Sequence, residues 1–303
     1  MKAIVRDNYG SADVLKLEDV NQPTIGDDQV LLRVHSSSIN VGDQLRIRGQ
    51  PYVMRLALGL FRPRLRGTGL DVAGRNRSCD EIGGDYFDFI RRADMTARSL
   101  SLVVGDVSGH GLDAALLMTT AWGFLRMRAS QGGTLGDIVE DMNRHLVDDL
   151  EGSNHFMTLF FLTVDLAGRR LEWVRAGHDP AQRYDPVRDR FDELEGYGLA
   201  LGIDDAAVYP EATMGGLAPG QVIAVGTDGI WEARDRSGVM FGKARFKDLI
   251  RRHHRQAAGA ILEAIFQDLA EHTRGGHAED DMTLVIVKIE ADPRAMSAAA
   301  YEI

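Results

Sequence analysis

Aspartate stands in four short settings that share one feature, a place at or beside the end of a strand-like run. These are GGDYFD at 83–88, GDVSGHG at 105–111, GTDGIWEA at 226–233 and EDDMT at 279–283. In three of them glycine adjoins the aspartate, and a residue without Cβ lets two backbones approach closely while a carboxylate projects from the turn. Aspartate and glycine are ordinary turn residues, and that explanation serves for any one of the motifs. It does not serve for all four together. Several carboxylates without paired histidine or cysteine form an oxygen-only donor set, which suits Mg²⁺ or Mn²⁺ and does not suit structural zinc. Cys79, the single cysteine, has Asp85 and not arginine six residues after it, so it lacks the basic setting of a nucleophilic thiol.

The elements that must carry these motifs follow from periodicity. AIV at 3–5, VLKLEDV at 14–20 and QVLLRVHSSSIN at 29–40 alternate as strands do, separated by turn-rich NQPTIGDD. PYVMRLALGLFRPRLR at 51–66 reads as a solvated connector carrying Arg55, Arg62, Arg64 and Arg66. From Ser99 the pattern is strand, helix, helix: SLSLVVGDV, then GLDAALLMTTAWGFLRMRAS, then TLGDIVEDMNRHLVDDL opening on a threonine cap. HFMTLFFLTVDL and RRLEWVRAG form a hairpin around Ala167 and Gly168, and further strands are expected at 181–185, 190–194, 221–226 and MTLVIVKI. Helices are expected at 243–254 and 257–273. Strands and helices come in blocks, so the expected class is α+β with antiparallel sheets and packed helix pairs.

Composition narrows the function. The net charge of −10 divides into +3 for residues 1–70, with ten Lys/Arg against seven Asp/Glu, and −13 for the rest. An acidic body argues against nonspecific nucleic-acid binding. No apolar run approaches the ~20 residues that span a bilayer, and the N-terminus lacks an apolar signal core. A single cysteine allows no internal disulfide and points to a reducing compartment, with the cytoplasm as the expected location.

The series GGDYFDF, GDVSGHGLDAALLM, HFMTLFFLTVDL, RAGHDPA, GLALGI, APGQVIAVGTDGIWEARD, FG and DDMTLVIVKI resembles the SpoIIE-type bacterial serine phosphatases, relatives of the eukaryotic type 2C phosphatases in the PPM superfamily. The resemblance implies two antiparallel sheets sandwiched between helix layers over residues 68–290, followed by a tail at 291–303. It implies a protein-serine/threonine phosphatase using two Mn²⁺ or Mg²⁺ ions. Asp106 would bridge them, with Asp85 on one side and Asp228 and Asp280 on the other, and the Val107 carbonyl as a further ligand. Asp281 holds the second position of its pair without an assigned role. His110 could protonate the leaving serine oxygen or could be a structural residue at a helix start. The implied substrate is a phosphoserine or phosphothreonine protein, in this family often an anti-sigma-factor antagonist of a partner-switching circuit.

A rival reading comes from the first residues. MKAIVRDNYG, DVLKLEDV, VLLRVHSSSINVGDQLRIRG and GTGLDVAG resemble the catalytic domain of zinc-independent medium-chain reductases of the quinone-oxidoreductase type, which would make the protein an NAD(P)H enzyme. GHGLDA even imitates a dinucleotide-binding turn, but a second helix follows it where a parallel strand should. Residues 1–67 are therefore expected to be a truncated, incomplete barrel, fused near 66–72 to the phosphatase, whose opening strand is LDVAGRNRSCDEIGGDYFDF. A competing view makes this segment a regulatory or dimerising element, giving a homodimer. A catalytically inactive phosphoprotein-binding module is disfavoured because all four aspartates are present. RRHHR at 251–255 reads as a solvated cluster complementing a helix end.

Overall fold

A computed structural model describes residues 2–5, 16–19, 69–79, 83–90, 92–93, 95–96, 98–109, 111–150, 155–274 and 280–291. The chain divides into two compact units, Met1–Arg55 and Leu56–Ile303. In the first, β1 (Lys2–Val5) pairs antiparallel with β2 (Lys16–Asp19), Ile4 opposite Leu17. The expected strand at 29–40, the connector at 51–66, His110 and nearly all of the tail lie outside the described residues.

The second unit runs β3 (Leu70–Arg77), β4 (Tyr86–Ile90), β5 (Ser99–Val107), α1 (Leu112–Ala129), α2 (Leu135–Asp149), β6 (Met157–Asp165), β7 (Arg170–Ala176), β8 (Ala181–Asp185), β9 (Arg190–Leu194), β10 (Ala212–Gly215), β11 (Val222–Gly226), α3 (Lys243–His253), α4 (Ala258–His272) and β12 (Met282–Ile289). Two five-stranded antiparallel sheets result, ordered β10-β7-β6-β5-β4 and β3-β12-β11-β8-β9. The expected opening strand is in fact two: β3 lies beside β12 in the second sheet, and β4 lies beside β5 in the first. The antiparallel pairing of β5 with β6 removes the dinucleotide-binding alternative, which requires parallel strands.

Alternation along β5 explains the layering. Leu102 and Val104 face the second sheet and pack in a core with Phe160, Ile223, Val285 and Val287, whereas Val103 and Val107 face α1 and α2. A third core under α3 and α4 includes Phe246, Ile250, Ile261 and Ile265. Helices thus cover both outer faces of the sandwich. α1 buries Ala114, Met118, Ala121, Leu125 and Ala129, one stripe at helical spacing. α2 starts where its sequence dictates: Thr134 Oγ1 accepts from the Asp137 N–H at 3.0 Å, and the Asp137 carboxylate accepts from the Thr134 N–H at 3.1 Å. On β4, Asp88 is wholly buried and takes two hydrogen bonds from Arg126, at 2.6 and 2.7 Å, and one from Trp122 at 3.0 Å, which fastens α1 to its sheet.

The core between the sheets should dominate stability. Phe160→Ala, at a fully buried position, is expected to cost about 3–5 kcal/mol in urea unfolding, while Leu116→Ala on the exposed face of α1 should stay within ~0.5 kcal/mol. Equal effects would contradict this division.

Candidate metal centre

Antiparallel topology brings four chain ends to one edge of the sandwich. Asp85 immediately precedes β4, Asp106 is the penultimate residue of β5, Asp228 follows β11, and Asp280 and Asp281 precede β12. Tyr86 pairs with Gly105, and Gly226 with Leu284, so two of these aspartates come from the first sheet and three from the second.

The two sheets are joined at Asp85. Its Oδ2 accepts a 2.7 Å hydrogen bond from the Thr227 hydroxyl, which itself accepts from the Thr283 N–H at 3.0 Å. Its backbone N–H donates to Asp281 Oδ2 at 3.2 Å, and Asn76 Nδ2 donates to its carbonyl at 2.8 Å. Asp281 Oδ1 also accepts from the Cys79 N–H at 2.8 Å. Two glycines make the approach feasible. A Cβ on Gly229 would stand 1.9 Å from the Asp281 carbonyl oxygen, and one on Gly84 would stand 2.8 Å from that of Val107, placing the predicted carbonyl ligand against the residue before Asp85.

Neighbouring residues of the 280–281 pair therefore do different things. Asp281 is buried and spends both oxygens on backbone amides of the β3–β4 connection, while Asp280, more exposed, accepts from the Asp281 N–H at 2.8 Å.

Crowding of like charge shows in the titration of these groups. Burial, reinforced by Asp228, Asp280 and Asp281, pushes the Asp106 carboxyl up to about 7. Burial and the neighbouring Asp106 hold Asp85 well above the carboxylate range, against the opposing Thr227 hydrogen bond. Asp280 is raised as well, chiefly by burial and further by Asp228 and Asp281.

A pocket of ≈ 130 Å³ opens beside this group, lined by Asp106, Thr158, Gly177, His178, Asp179, Thr227, Asp228 and Glu232. Asp179 and Glu232 were not singled out from the sequence, although both lie within motifs that also hold His178 and Asp228. His178 is buried, which lowers its pKa, and its Nδ1 lies 3.0 Å from the Asp179 carbonyl oxygen. A carbonyl only accepts, so Nδ1 carries the proton and neutral His178 keeps Nε2 as an acceptor.

Among the described residues no three such side chains converge on one point as a closed cation cage. The donor set nevertheless fits a hard divalent cation: it is all oxygen, it is adjacent to a polar pocket, and three of its members hold protons more tightly than free carboxyls do. Closing a coordination shell would take side-chain rotation, with water completing it.

Residues 96–290 match the family model described as Stage II sporulation protein E (SpoIIE), and the chain belongs to that family. It is 25% identical over 219 residues to the phosphoserine phosphatase RsbU of Bacillus subtilis, a match covering 72% of this chain and 63% of the relative. The chain thus spans less than two-thirds of that protein's length. Among solved structures it is similar to the SiaA-PP2C domain of Pseudomonas aeruginosa, with a TM-score of 0.64, 25% identity and coverage of 74% of this chain and 87% of that one. It also resembles the RsbU and RsbW domains of a Mycobacterium tuberculosis protein, with a TM-score of 0.60, 29% identity and coverage of 74% and 60%.

In the unfolded chain Asp106 ionises near 3.8, and in the fold only near 7, so between those values the unfolded state binds fewer protons. Stability of the metal-free protein should therefore fall as pH rises through that window. Excess Mn²⁺ at pH 7.5 should raise the melting temperature by several degrees. Asp106→Asn should flatten the pH dependence and remove most of the Mn²⁺ shift. Differential scanning fluorimetry with an undiminished Mn²⁺ shift in the variant would contradict the assignment.

Proposed function

We propose that the protein is a metal-dependent phosphatase acting on phosphoserine or phosphothreonine in proteins. The observation that supports this most is the meeting of Asp85, Asp106, Asp228 and Asp280, drawn from both sheets, beside an acidic pocket. Asp85, Asp106 and the Val107 carbonyl would hold one Mn²⁺ or Mg²⁺, and Asp106, Asp228 and Asp280 the other. When bound, the ions supply a water of lowered pKa and offset charge on the phosphoryl oxygens. Thr227 and Asp281 fix Asp85 in rotation and depth, so this carboxylate presents one oxygen while the other is engaged. His178, neutral and anchored through Nδ1, forms a rigid wall of the pocket and adds no positive charge to it.

Kinship to RsbU supports a substrate within a partner-switching circuit, such as a phosphorylated anti-sigma-factor antagonist. The acidic surface disfavours nucleic acid, and among the described residues no helix is long and apolar enough to cross a membrane. A cytoplasmic site of action fits the phosphoprotein substrate. We assign residues 68–290 to the phosphatase domain, 1–67 to a truncated reductase-like segment and 291–303 to a tail. In support, β3 begins at Leu70 and pairs along its whole length with β12.

Hydrolysis of a phosphoserine protein should require Mn²⁺ or Mg²⁺, and Asp106→Asn should lower kcat by ~10²-fold or more, since a neutral amide cannot hold two cations together. Asp228→Asn should be nearly as harmful. Metal-independent turnover, or an undiminished rate for Asp106→Asn at saturating metal, would overturn the proposal. A chain starting at Gly67 should retain Mn²⁺-dependent turnover, and the full chain should not oxidise NADPH with a quinone. Complete loss of turnover in a folded truncation would contradict the domain assignment.

A further inference from the structure

A second cavity lies beside the acidic pocket and belongs to none of the machinery above. It has a volume of ≈ 410 Å³ and is lined by Arg175, Tyr197, Gly198, Leu199, Ala206, Ala207 and Val208. Cavity and pocket share a wall. The Gly177 N–H donates to the Gly198 carbonyl at 3.0 Å, Gly177 lining the pocket and Gly198 the cavity. Arg175 spans the wall, its Nη1 donating to the His178 carbonyl at 2.8 Å and its Nε to the Gly196 carbonyl at 2.9 Å.

Three features of this cavity need a partner to explain them. Tyr197, Leu199 and Val208 are 80%, 52% and 63% exposed, an apolar cluster around one cavity. Arg175 pairs with no carboxylate among the described residues, and the hydrogen bonds of its Nε and Nη1 go to neutral backbone carbonyls, leaving N–H groups for an anion. The segment carrying the cluster is also held firmly. Asn143 on α2 donates to the Asp204 carbonyl at 2.6 Å and accepts from the Gly202 N–H at 2.9 Å, the Tyr209 N–H donates to Glu140 at 3.2 Å, and Glu211 caps the start of α2 through the Leu135 and Gly136 N–H groups. A preformed apolar depression with one free cation is the anatomy of a recognition site.

We propose that this cavity binds the residues flanking the phosphoserine of the protein substrate, taking apolar side chains against Tyr197, Leu199 and Val208 and an acidic residue against Arg175. The inference rests on the phosphatase reading of the neighbouring pocket and adds to it the substrate's local chemistry. Continuity of the two sites sets the geometry: a phosphoserine in the pocket places its near neighbours along the shared wall. A substrate chosen by its flanks also solves a problem of the acidic pocket, whose lining includes no large apolar side chain by which to tell one phosphoprotein from another.

The test separates binding from turnover. Two fluorescein-labelled peptides carrying a non-hydrolysable phosphonate analogue of phosphoserine are compared, one flanked by leucine and aspartate and one by glycine and aspartate. Fluorescence anisotropy with the Mn²⁺-loaded full chain should show the first binding about tenfold tighter. The variant Tyr197→Ser/Leu199→Ser/Val208→Ser, altered only at exposed positions, should bind both peptides alike. Hydrolysis of p-nitrophenyl phosphate, which has no flanks, should be unchanged in that variant. Equal binding of both peptides by the unaltered chain, or a preference that survives in the variant, would overturn the cavity's role. Failure of Mn²⁺-dependent p-nitrophenyl phosphate hydrolysis in the unaltered chain would count against the phosphatase reading, while the anisotropy would still decide the cavity.

Discussion

Like charges repel, and this fold forces five aspartates to one edge of a sandwich. Nothing in the carboxylates themselves favours that arrangement, and burial alone disfavours their ionised forms. The connection that imposes it is the clamp on Asp85. The Thr227 hydroxyl holds its carboxylate, Asp281 holds its N–H, and Asn76 holds its carbonyl, so a residue leading into the first sheet is fixed by three from the second. The favourable burial of Leu102, Phe160, Ile223 and Val285 between the sheets offsets the repulsion and keeps the two halves in register. What the protein thereby holds is a cluster of negative charge that a divalent cation can relieve.

The same clamp explains why each half of the site depends on the other. Asp106 is placed by the β5 ladder, with Thr158 opposite it on β6, and α1 begins six residues later. Asp228 and the 280–281 pair are placed by the β11–β12 ladder, which Thr227 and Thr283 extend past its formal end with a 3.0 Å bond from the Thr227 N–H to the Thr283 carbonyl. α1 is in turn fixed to the first sheet by Arg126 and Trp122 on Asp88. Rigid ladders on both sides suit chemistry in which a displaced carboxylate loses a shared ligand position.

Much of this was legible in the sequence because local rules and tertiary structure agree. TLGD announces the Thr134 cap, and MTLVIVKI becomes β12 from Met282 to Ile289. The loop of residues 166–169 turns β6 into β7, with Arg169 taking the positive φ that glycine might have supplied. The four aspartates stand at or beside strand ends, as their motifs implied. Other features left no local trace. β10 is a four-residue edge strand, ATMG, with no apolar run to mark it. The opening segment gives no local sign that it divides, and it is the choice of sheet that separates β3, beside β12, from β4, beside β5. Thr227 looks like any strand-end threonine, and the different uses of Asp280 and Asp281 depend on partners about 200 positions away in the chain. Asp179, Glu232 and the free face of Arg175 likewise acquire meaning only from long-range packing.

The central claim is that this carboxylate cluster is a divalent-cation site. Anomalous diffraction from crystals of the protein soaked in Mn²⁺ tests it most directly. The account predicts two peaks flanking the Asp106 carboxylate, each about 2.0–2.3 Å from its ligand oxygens, one toward Asp85 and the Val107 carbonyl and the other toward Asp228 and Asp280. Absence of peaks at that edge, or peaks held elsewhere with Asp106 uninvolved, would contradict it.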